Sequence, residues 1–249
     1  MGEHHSHFKI VIIGGLIIVA FVYYGLHHAK TAVAPVVPPS LGTVNGAWAS
    51  DKIDEKIITD EGKGYSIRAA YPVTGNSAVT AYFKNFVDEQ ISSFKAELVP
   101  ADMPDSVTAY TLDVTYTQER SARADNFIFL IAADTGGAHG LQATKTFSFT
   151  PEGKIIALGD LFINGVQGLA SIAPYVQKEL LARDMTDEDW VKEGAAPTED
   201  NYQSFVVTDT GVRFIFDPYQ VAAYAAGTQQ VDVPVSVFRL ISSKSLFTR

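Results

Sequence analysis

Apolar side chains recur at helical spacing in two stretches of the chain. Over residues 77–98 they return every three or four positions, which places them on one face of an amphipathic helix. The same spacing over residues 166–183 predicts a second helix. The two stripes are Val79, Phe83, Phe86, Val87, Ile91, Phe94 and Leu98, and then Leu169, Ile172, Ala173, Val176 and Leu180.

Alternation of apolar and polar residues predicts β-strands around these helices. Short links between the strands of the 107–150 region favour an antiparallel meander. Pro234 predicts that the last strand lies at a sheet edge, because proline has no N–H for a ladder hydrogen bond. The predicted strands are residues 65–71, 107–118, 126–133, 141–150, 204–207, 212–216 and 229–237. We therefore predict an α+β fold, with two amphipathic helices packed on a mainly antiparallel sheet.

An N-terminal transmembrane helix is predicted ahead of this fold. Ile10–Leu26 is an uncharged, mostly apolar run of 17 residues, at the short end of what crosses a bilayer as a helix. A cleaved signal peptide is the alternative, since Ala32-Val33-Ala34 resembles a cleavage site. We favour an uncleaved anchor, because the run is longer than a usual signal-peptide core and Pro35 directly follows that site.

The predicted organisation is that of a single-pass protein of the cell membrane with an extracytoplasmic domain. The segments are a short cytoplasmic head (1–9), the anchor (10–26), a tether rich in Pro, Ala and Val (27–46), and the N-terminal (47–133) and C-terminal (134–249) parts of the outer domain. The tether has no periodicity and is typical of an extended linker.

Charge and composition exclude several classes of function. The net charge of −9 argues against a nucleic-acid partner and leaves cationic partners open. The chain has no cysteine, so disulfides, cysteine metal sites and a thiol nucleophile are excluded.

No familiar catalytic or cofactor motif is present in the chain. His139 is the sole histidine beyond the N-terminal region and the anchor flank, so it cannot share a metal with a second histidine of the domain. We predict no metal, no cofactor and no enzymatic activity. Two alternatives stay open: a pair between His139 and Asp134 or Asp160, and a hydrolase with an unrecognised pair of carboxylates.

The acidic connector over residues 184–201 is the predicted binding surface. Its candidate binding residues are Asp187, Glu188, Asp189, Trp190 and Glu193. Such an acidic segment with an aromatic anchor suits recognition of a cationic partner. The simpler interpretation, which we favour, is a solvated connector whose Trp190 packs onto the core.

Several short motifs occur in a fixed order: Gly136-Gly137-Ala138-His139, Lys145-Thr146-Phe147-Ser148-Phe149, Asp160-Leu161-Phe162, and Tyr219 followed by Tyr224 and Gly227. Together they resemble the RsiV-like extracytoplasmic domain. Residues 65–98 resemble the companion domain found in the same proteins and in PdaC-type peptidoglycan deacetylases. We expect structural roles for the signature residues Gly136, Gly137, His139, Asp160, Phe162, Tyr219, Tyr224 and Gly227.

The resemblance implies an α+β domain on the outer side of a bacterial membrane, where one branch of the family binds lysozyme. Nine residues ahead of the predicted anchor are too few for a sigma-factor-binding domain, and we expect no deacetylase domain. We therefore predict a non-enzymatic, membrane-anchored binding or sensing module for a cationic protein such as lysozyme. A glycan-binding accessory module for wall-modifying enzymes is the alternative.

Overall fold

The computed structural model describes residues 53–98, 110–136, 139–183 and 187–238. The predicted head, anchor and tether lie outside these residues, as does Gly137 of the glycine turn. Across the four described ranges, no helix is long and apolar enough to cross a membrane. The anchor and the membrane location stay predictions.

The first sheet has six strands, which are hydrogen-bonded in chain order. They are β1 (Asp54–Gly62), β2 (Tyr65–Val73), β3 (Tyr110–Arg120), β4 (Asp125–Asp134), β5 (Leu141–Phe149) and β6 (Ile155–Ile156). β2 and β3 run parallel, whereas the other neighbouring strands are antiparallel. The predicted meander of β3, β4 and β5 is confirmed. β1 is a strand that the sequence analysis does not predict, because its side chains are mostly exposed and show no apolar period.

Helix α1 (Ser77–Glu97) forms the crossover between β2 and β3. Such a crossover explains the parallel pair, since parallel neighbours need a long connection. The helix begins where the Asn76 side chain accepts a hydrogen bond from the backbone N–H of Ala78 (3.0 Å). Its buried face packs on the sheet, where the fully buried Phe83 ring lies 4.7 Å from the Phe127 ring. The first predicted helix is therefore confirmed.

A second, three-stranded sheet and three further helices form the other core. The strands are β7 (Phe205–Val207), β8 (Gly211–Phe216) and β9 (Gln229–Pro234), and the helices are α2 (Leu169–Leu181), α3 (Glu188–Gly194) and α4 (Val235–Phe238). β9 lies at an edge, as Pro234 predicts. The predicted last strand is too long at its C-terminal end, because the chain turns into α4 after Pro234.

The two sheets meet along a polar seam on β5. Phe147 and Phe149 of this strand enter the first core, while its alternate residues are polar and buried. The Thr146 hydroxyl accepts a hydrogen bond from Phe205 N (2.8 Å), and the Ser204 hydroxyl donates to Thr144 O (2.7 Å). The polar face of β5 therefore contacts protein rather than water.

The first sheet continues past the predicted boundary between residues 133 and 134, because β5 and β6 pair within it. The division of the outer domain into two parts stays a prediction.

Candidate functional site: an aromatic surface

Four aromatic side chains from three separate segments meet on the outside of the protein. His139 precedes β5, Trp190 lies on α3, and Tyr219 and Tyr224 lie between β8 and β9. We call these four residues the aromatic surface. None of them neighbours another in the sequence, so the tertiary structure alone brings them together.

The rings of the aromatic surface form a continuous chain of contacts. His139 stacks on Tyr224, with ring centroids 4.0 Å apart and planes 18° apart. Tyr219 lies 5.4 Å from Tyr224 and 6.2 Å from Trp190, in both cases tilted. Separations of this size are typical of attractive aromatic pairs.

Hydrogen bonds fix His139 within this arrangement. Its Nδ1 lies 2.9 Å from the carbonyl oxygen of Gly140, and its Nε2 lies 3.0 Å from the hydroxyl of Tyr219. Because a carbonyl oxygen can only accept, Nδ1 carries the proton, and in the neutral ring Nε2 accepts from Tyr219. The Tyr224 hydroxyl donates to the same Gly140 carbonyl (2.8 Å). These partners differ from the carboxylate pair that the sequence left open for His139.

Three of the four residues are exposed, and among them Trp190 and Tyr219 offer large apolar rings to a ligand. Trp190 is 38% exposed and Tyr219 is 40% exposed, although both are large apolar side chains. More than half of the Trp190 surface is nevertheless covered by protein, with Tyr219 as a ring neighbour, and both interpretations of the acidic connector stay predictions. An exposed group of aromatic rings is more informative than a single exposed apolar residue, because it forms one patch.

A turn over residues 217–220 presents Tyr219 to solvent. Tyr219 has φ 71°, the left-handed region that a side chain with a Cβ rarely adopts. Gln220 N donates to Asp217 O (3.0 Å), which closes the turn. Strained backbone of this kind persists only where the surrounding structure holds it, and it is frequent at functional sites.

Gln220 joins this turn to the helix that carries Trp190. Its Nε2 donates to the carbonyl oxygens of Gly194 and Asn201, each at 3.0 Å. A Cβ at Gly194 would lie 1.7 Å from the backbone oxygen of Gln220. Only glycine therefore allows α3 to approach so close to the turn, and this approach sets the distance between Trp190 and Tyr219.

Asp217 anchors the other end of the turn to β5. Its carboxylate accepts a hydrogen bond from the backbone N–H of Thr144 (2.9 Å). With the bond from Ser204, both backbone polar groups of Thr144 are satisfied by side chains at the strand edge. Burial raises the pKa of Asp217 to about 6, although the hydrogen bond from Thr144 opposes this change.

A second ionisable group, half-buried like Asp217, lies next along β5. Lys145 donates from Nζ to Oε1 of Gln203 (3.3 Å). Burial lowers the pKa of Lys145, because a protein interior disfavours the charged form. Lys145 opens one of the ordered motifs but had no site role assigned to it, and Asp217 is marked in the sequence by an Asp-Pro turn alone.

The predicted acidic binding residues lie on and around α3. Asp187 is its N-cap, and its side chain accepts from the backbone N–H groups of Asp189 and Trp190. Glu188, Asp189 and Glu193 are exposed. The structure therefore brings Trp190 into the aromatic surface and places the acidic residues beside it, while their role in binding stays a prediction.

The other signature residues have local contacts. Asp160 accepts from Ala157 N (2.9 Å), and Phe162 is buried with its ring 5.6 Å from that of Phe238. Gly136 and Gly227 both have positive φ, where glycine is favoured.

The described residues contain no group of three or more His, Asp or Glu side chains that could hold a metal ion.

Comparison with known proteins relates this chain to a family without an established function. Residues 159–236 match the family described as "Protein of unknown function (DUF3298)". This segment includes Trp190, Tyr219 and Tyr224, whereas His139 lies before it. Two solved DUF3298 family structures share the fold. One, from Pseudomonas aeruginosa PAO1, has TM-score 0.56 and 14% identity, covering 79% of this chain and 97% of that one. The other, from Bacteroides fragilis NCTC 9343, has TM-score 0.51 and 16% identity, covering 77% and 93%.

Three curated proteins are similar at low identity. The peptidoglycan-N-acetylmuramic acid deacetylase PdaC of Bacillus subtilis is 26% identical over 186 residues, covering 73% of this chain and 40% of PdaC. The matched segment therefore spans less than half of PdaC. Esterase Rv3036c of Mycobacterium tuberculosis is 26% identical over 206 residues, covering 80% of this chain and 87% of the esterase. The immunogenic protein MPT64 of the same species is 27% identical over 193 residues, covering 72% and 82%.

Proposed function

We propose that this protein is a non-enzymatic binding module of the bacterial cell envelope, and that its aromatic surface binds cell-wall glycan. The observation that carries the proposal is the adjacent exposure of Trp190 and Tyr219. Sugar rings have apolar C–H faces that pack on aromatic rings, while the nearby hydroxyl oxygens of Tyr219 and Tyr224 can accept hydrogen bonds from sugar hydroxyls. The low-identity relation to PdaC, which is named as a peptidoglycan deacetylase, supports a cell-wall ligand.

The proposed location follows from the sequence. The apolar run Ile10–Leu26 anchors the chain in the membrane, and the domain that bears the aromatic surface lies outside. A tethered module in this place meets wall polymer at high local concentration, so weak binding at each site is sufficient.

Binding of a cationic protein is the second candidate. It is favoured by the exposed carboxylates of Glu188, Asp189 and Glu193 beside Trp190, and by the net charge of −9. The resemblance to the RsiV-like domain makes lysozyme the natural first partner. Long-range attraction would then raise the association rate and added salt would lower it.

Sedimentation with purified peptidoglycan tests the first candidate. The full-length chain in detergent should sediment with the polymer, and the double variant Trp190→Ala/Tyr219→Ala should lose about tenfold in affinity or more, as removal of central aromatic anchors does. Ile57→Ala is the matched control, since Ile57 is an equally exposed apolar residue at 46% but lies on β1. Equal sedimentation of the double variant and its parent would exclude the aromatic surface as the binding site for peptidoglycan.

Titration with lysozyme at low and moderate salt tests the second candidate. Binding that weakens with salt and with Glu188→Gln/Asp189→Asn would support it. Absence of binding at micromolar concentrations at both salt levels would exclude lysozyme as the partner.

A further inference from the structure

The charge around the aromatic surface narrows the class of glycan, if the proposed function holds. Asp187, Trp190 and Glu193 are spaced three residues apart on and beside α3. Positions three apart within a helix lie on the same face, so the exposed Glu193 carboxylate shares the face of Trp190, while Asp187 precedes the first turn as the N-cap. The side-chain oxygen of Asp187 that caps α3 accepts from the backbone N–H of Trp190 (3.3 Å), which fixes this carboxylate at the helix turn that carries Trp190.

Neither Lys192 of α3 nor His139 of the aromatic surface offsets these carboxylates. Lys192 is two positions from Trp190, which places it on the opposite side of the helix. Both nitrogens of His139 already have partners within the protein. The faces of Trp and Tyr rings carry negative charge density and attract cations. The aromatic rings and the carboxylates therefore both favour a cationic group on the ligand.

We infer that the aromatic surface selects amino sugars whose nitrogen is free, over the same sugars with an N-acetyl group. The ammonium lies against Trp190 and Tyr219 and is attracted by Asp187 and Glu193, while the sugar ring packs on the aromatic faces. An N-acetyl amide is neutral, so it forfeits both the cation–π attraction and the attraction to the carboxylates.

The inference also gives the class of reaction that must supply the ligand. Water cleaves the amide bond of an N-acetyl group: the acyl carbon takes the hydroxyl and leaves as acetate, and the nitrogen remains on the sugar as an amine. At neutral pH an amine of this kind takes up a proton and becomes the ammonium that the surface binds. The module would therefore report or follow deacetylation of wall glycan.

Oligomers of β-1,4-linked glucosamine and of N-acetylglucosamine, matched in length, provide the test. The full-length chain with Trp48→Phe keeps Trp190 as its single tryptophan, so its fluorescence reports binding at the aromatic surface.

We expect the glucosamine oligomer to bind about tenfold tighter than the N-acetylated oligomer, with a preference that declines as salt is added. Glu193→Gln should reduce the preference several-fold, because it weakens binding of the glucosamine oligomer more than binding of the N-acetylated one. Glu152→Gln, an exposed carboxylate in the turn between β5 and β6, is the matched control. Asp187 is unsuitable for substitution, because its loss would also remove the cap of α3.

The outcomes separate this inference from the proposed function. Equal affinity for both oligomers, tighter binding of the N-acetylated one, or an unchanged preference in Glu193→Gln would overturn the inference while glycan binding stands. Failure of both oligomers to bind would overturn glycan binding as well. An oligolysine of equal charge that displaces the glucosamine oligomer with equal affinity would show that charge alone is recognised, which overturns the inference in favour of a cationic protein.

Discussion

The side-chain amide of Asn126 pairs with both backbone polar groups of Val207. Its Oδ1 accepts from Val207 N and its Nδ2 donates to Val207 O, each at 3.0 Å. Asn126 lies on β4 of the first sheet and Val207 on β7 of the second. The amide therefore acts as a short piece of strand that joins the two sheets, and it is 1% exposed.

Replacement of Asn126 should be costly for this reason. Its amide also accepts from the Ser148 hydroxyl (2.7 Å) and donates to Glu119 O (3.0 Å). Asn126→Ala would leave several of these groups buried without partners, and we expect a loss of about 2–4 kcal/mol in the free energy of unfolding. Urea denaturation measures it. Asn85→Ala on the exposed side of α1 is the control and should stay within about 0.5 kcal/mol of the parent. A loss of similar size in both variants would contradict the role of Asn126 as the link.

Gly194→Ala should separate the two exposed rings of the aromatic surface. The added Cβ would meet the backbone oxygen of Gln220 at 1.7 Å, so α3 or the Tyr219 turn must move. We expect destabilisation of about 1–3 kcal/mol, as overpacking of a well-packed site gives, together with changed fluorescence of Trp190 in the Trp48→Phe background. Gly159→Ala is the matched control, because the nearest atom to its added Cβ would lie 3.8 Å away, at an ordinary contact distance. Unchanged fluorescence and stability in Gly194→Ala would show that the close approach is not needed.

The positive φ of Tyr219 predicts an unusual order of stability between its glycine and alanine variants. Glycine adopts φ 71° freely, whereas alanine at this position keeps the strain without the ring. We expect Tyr219→Gly to be more stable than Tyr219→Ala by about 1 kcal/mol, and both to lose glycan binding. Thermal unfolding of the two variants side by side measures the difference. At an ordinary helical or extended position the order would be reversed, and such a result would contradict the strained turn.

Asp217 should make the stability of the protein depend on pH. Its folded pKa of about 6 lies above the ordinary value of 3.8, so between these values the folded state holds more protons than the unfolded state. Stability from this group is therefore fully present below about pH 4 and is lost as the pH rises toward about 6. Asp217→Asn keeps a side-chain oxygen for Thr144 N–H but has no proton to lose. The stability of Asp217→Asn relative to the parent should therefore rise across this window, by at most about 3 kcal/mol.

Urea unfolding at a series of pH values measures this difference. Asp189→Asn, on the exposed face of α3, serves as the control and should keep the pH slope of the parent. If the difference between Asp217→Asn and the parent is flat from pH 4 to 6, the group does not titrate in this window.

The sequence by itself determined the local elements of the fold. The apolar stripe from Val79 to Phe94 specifies α1, because its spacing leaves one face to bury, and alternation specifies β3, β4 and β5 in the same way. β1 was not predicted, since its side chains are mostly exposed and show no apolar period. The motif residues His139 and Tyr219 and the connector residue Trp190 were also visible in the sequence, but as separate features with separate roles.

The tertiary structure alone decided that these residues form one surface. The packing of the second sheet against β5 sets where the Tyr219 turn lies, through the bonds from Asp217 to Thr144 and from Gln220 to Gly194. These contacts join residues far apart in the chain, and periodicity carries no information about such distances. The sequence therefore specifies which faces are buried, while the polar seam and the close approach at Gly194 determine which side chains meet.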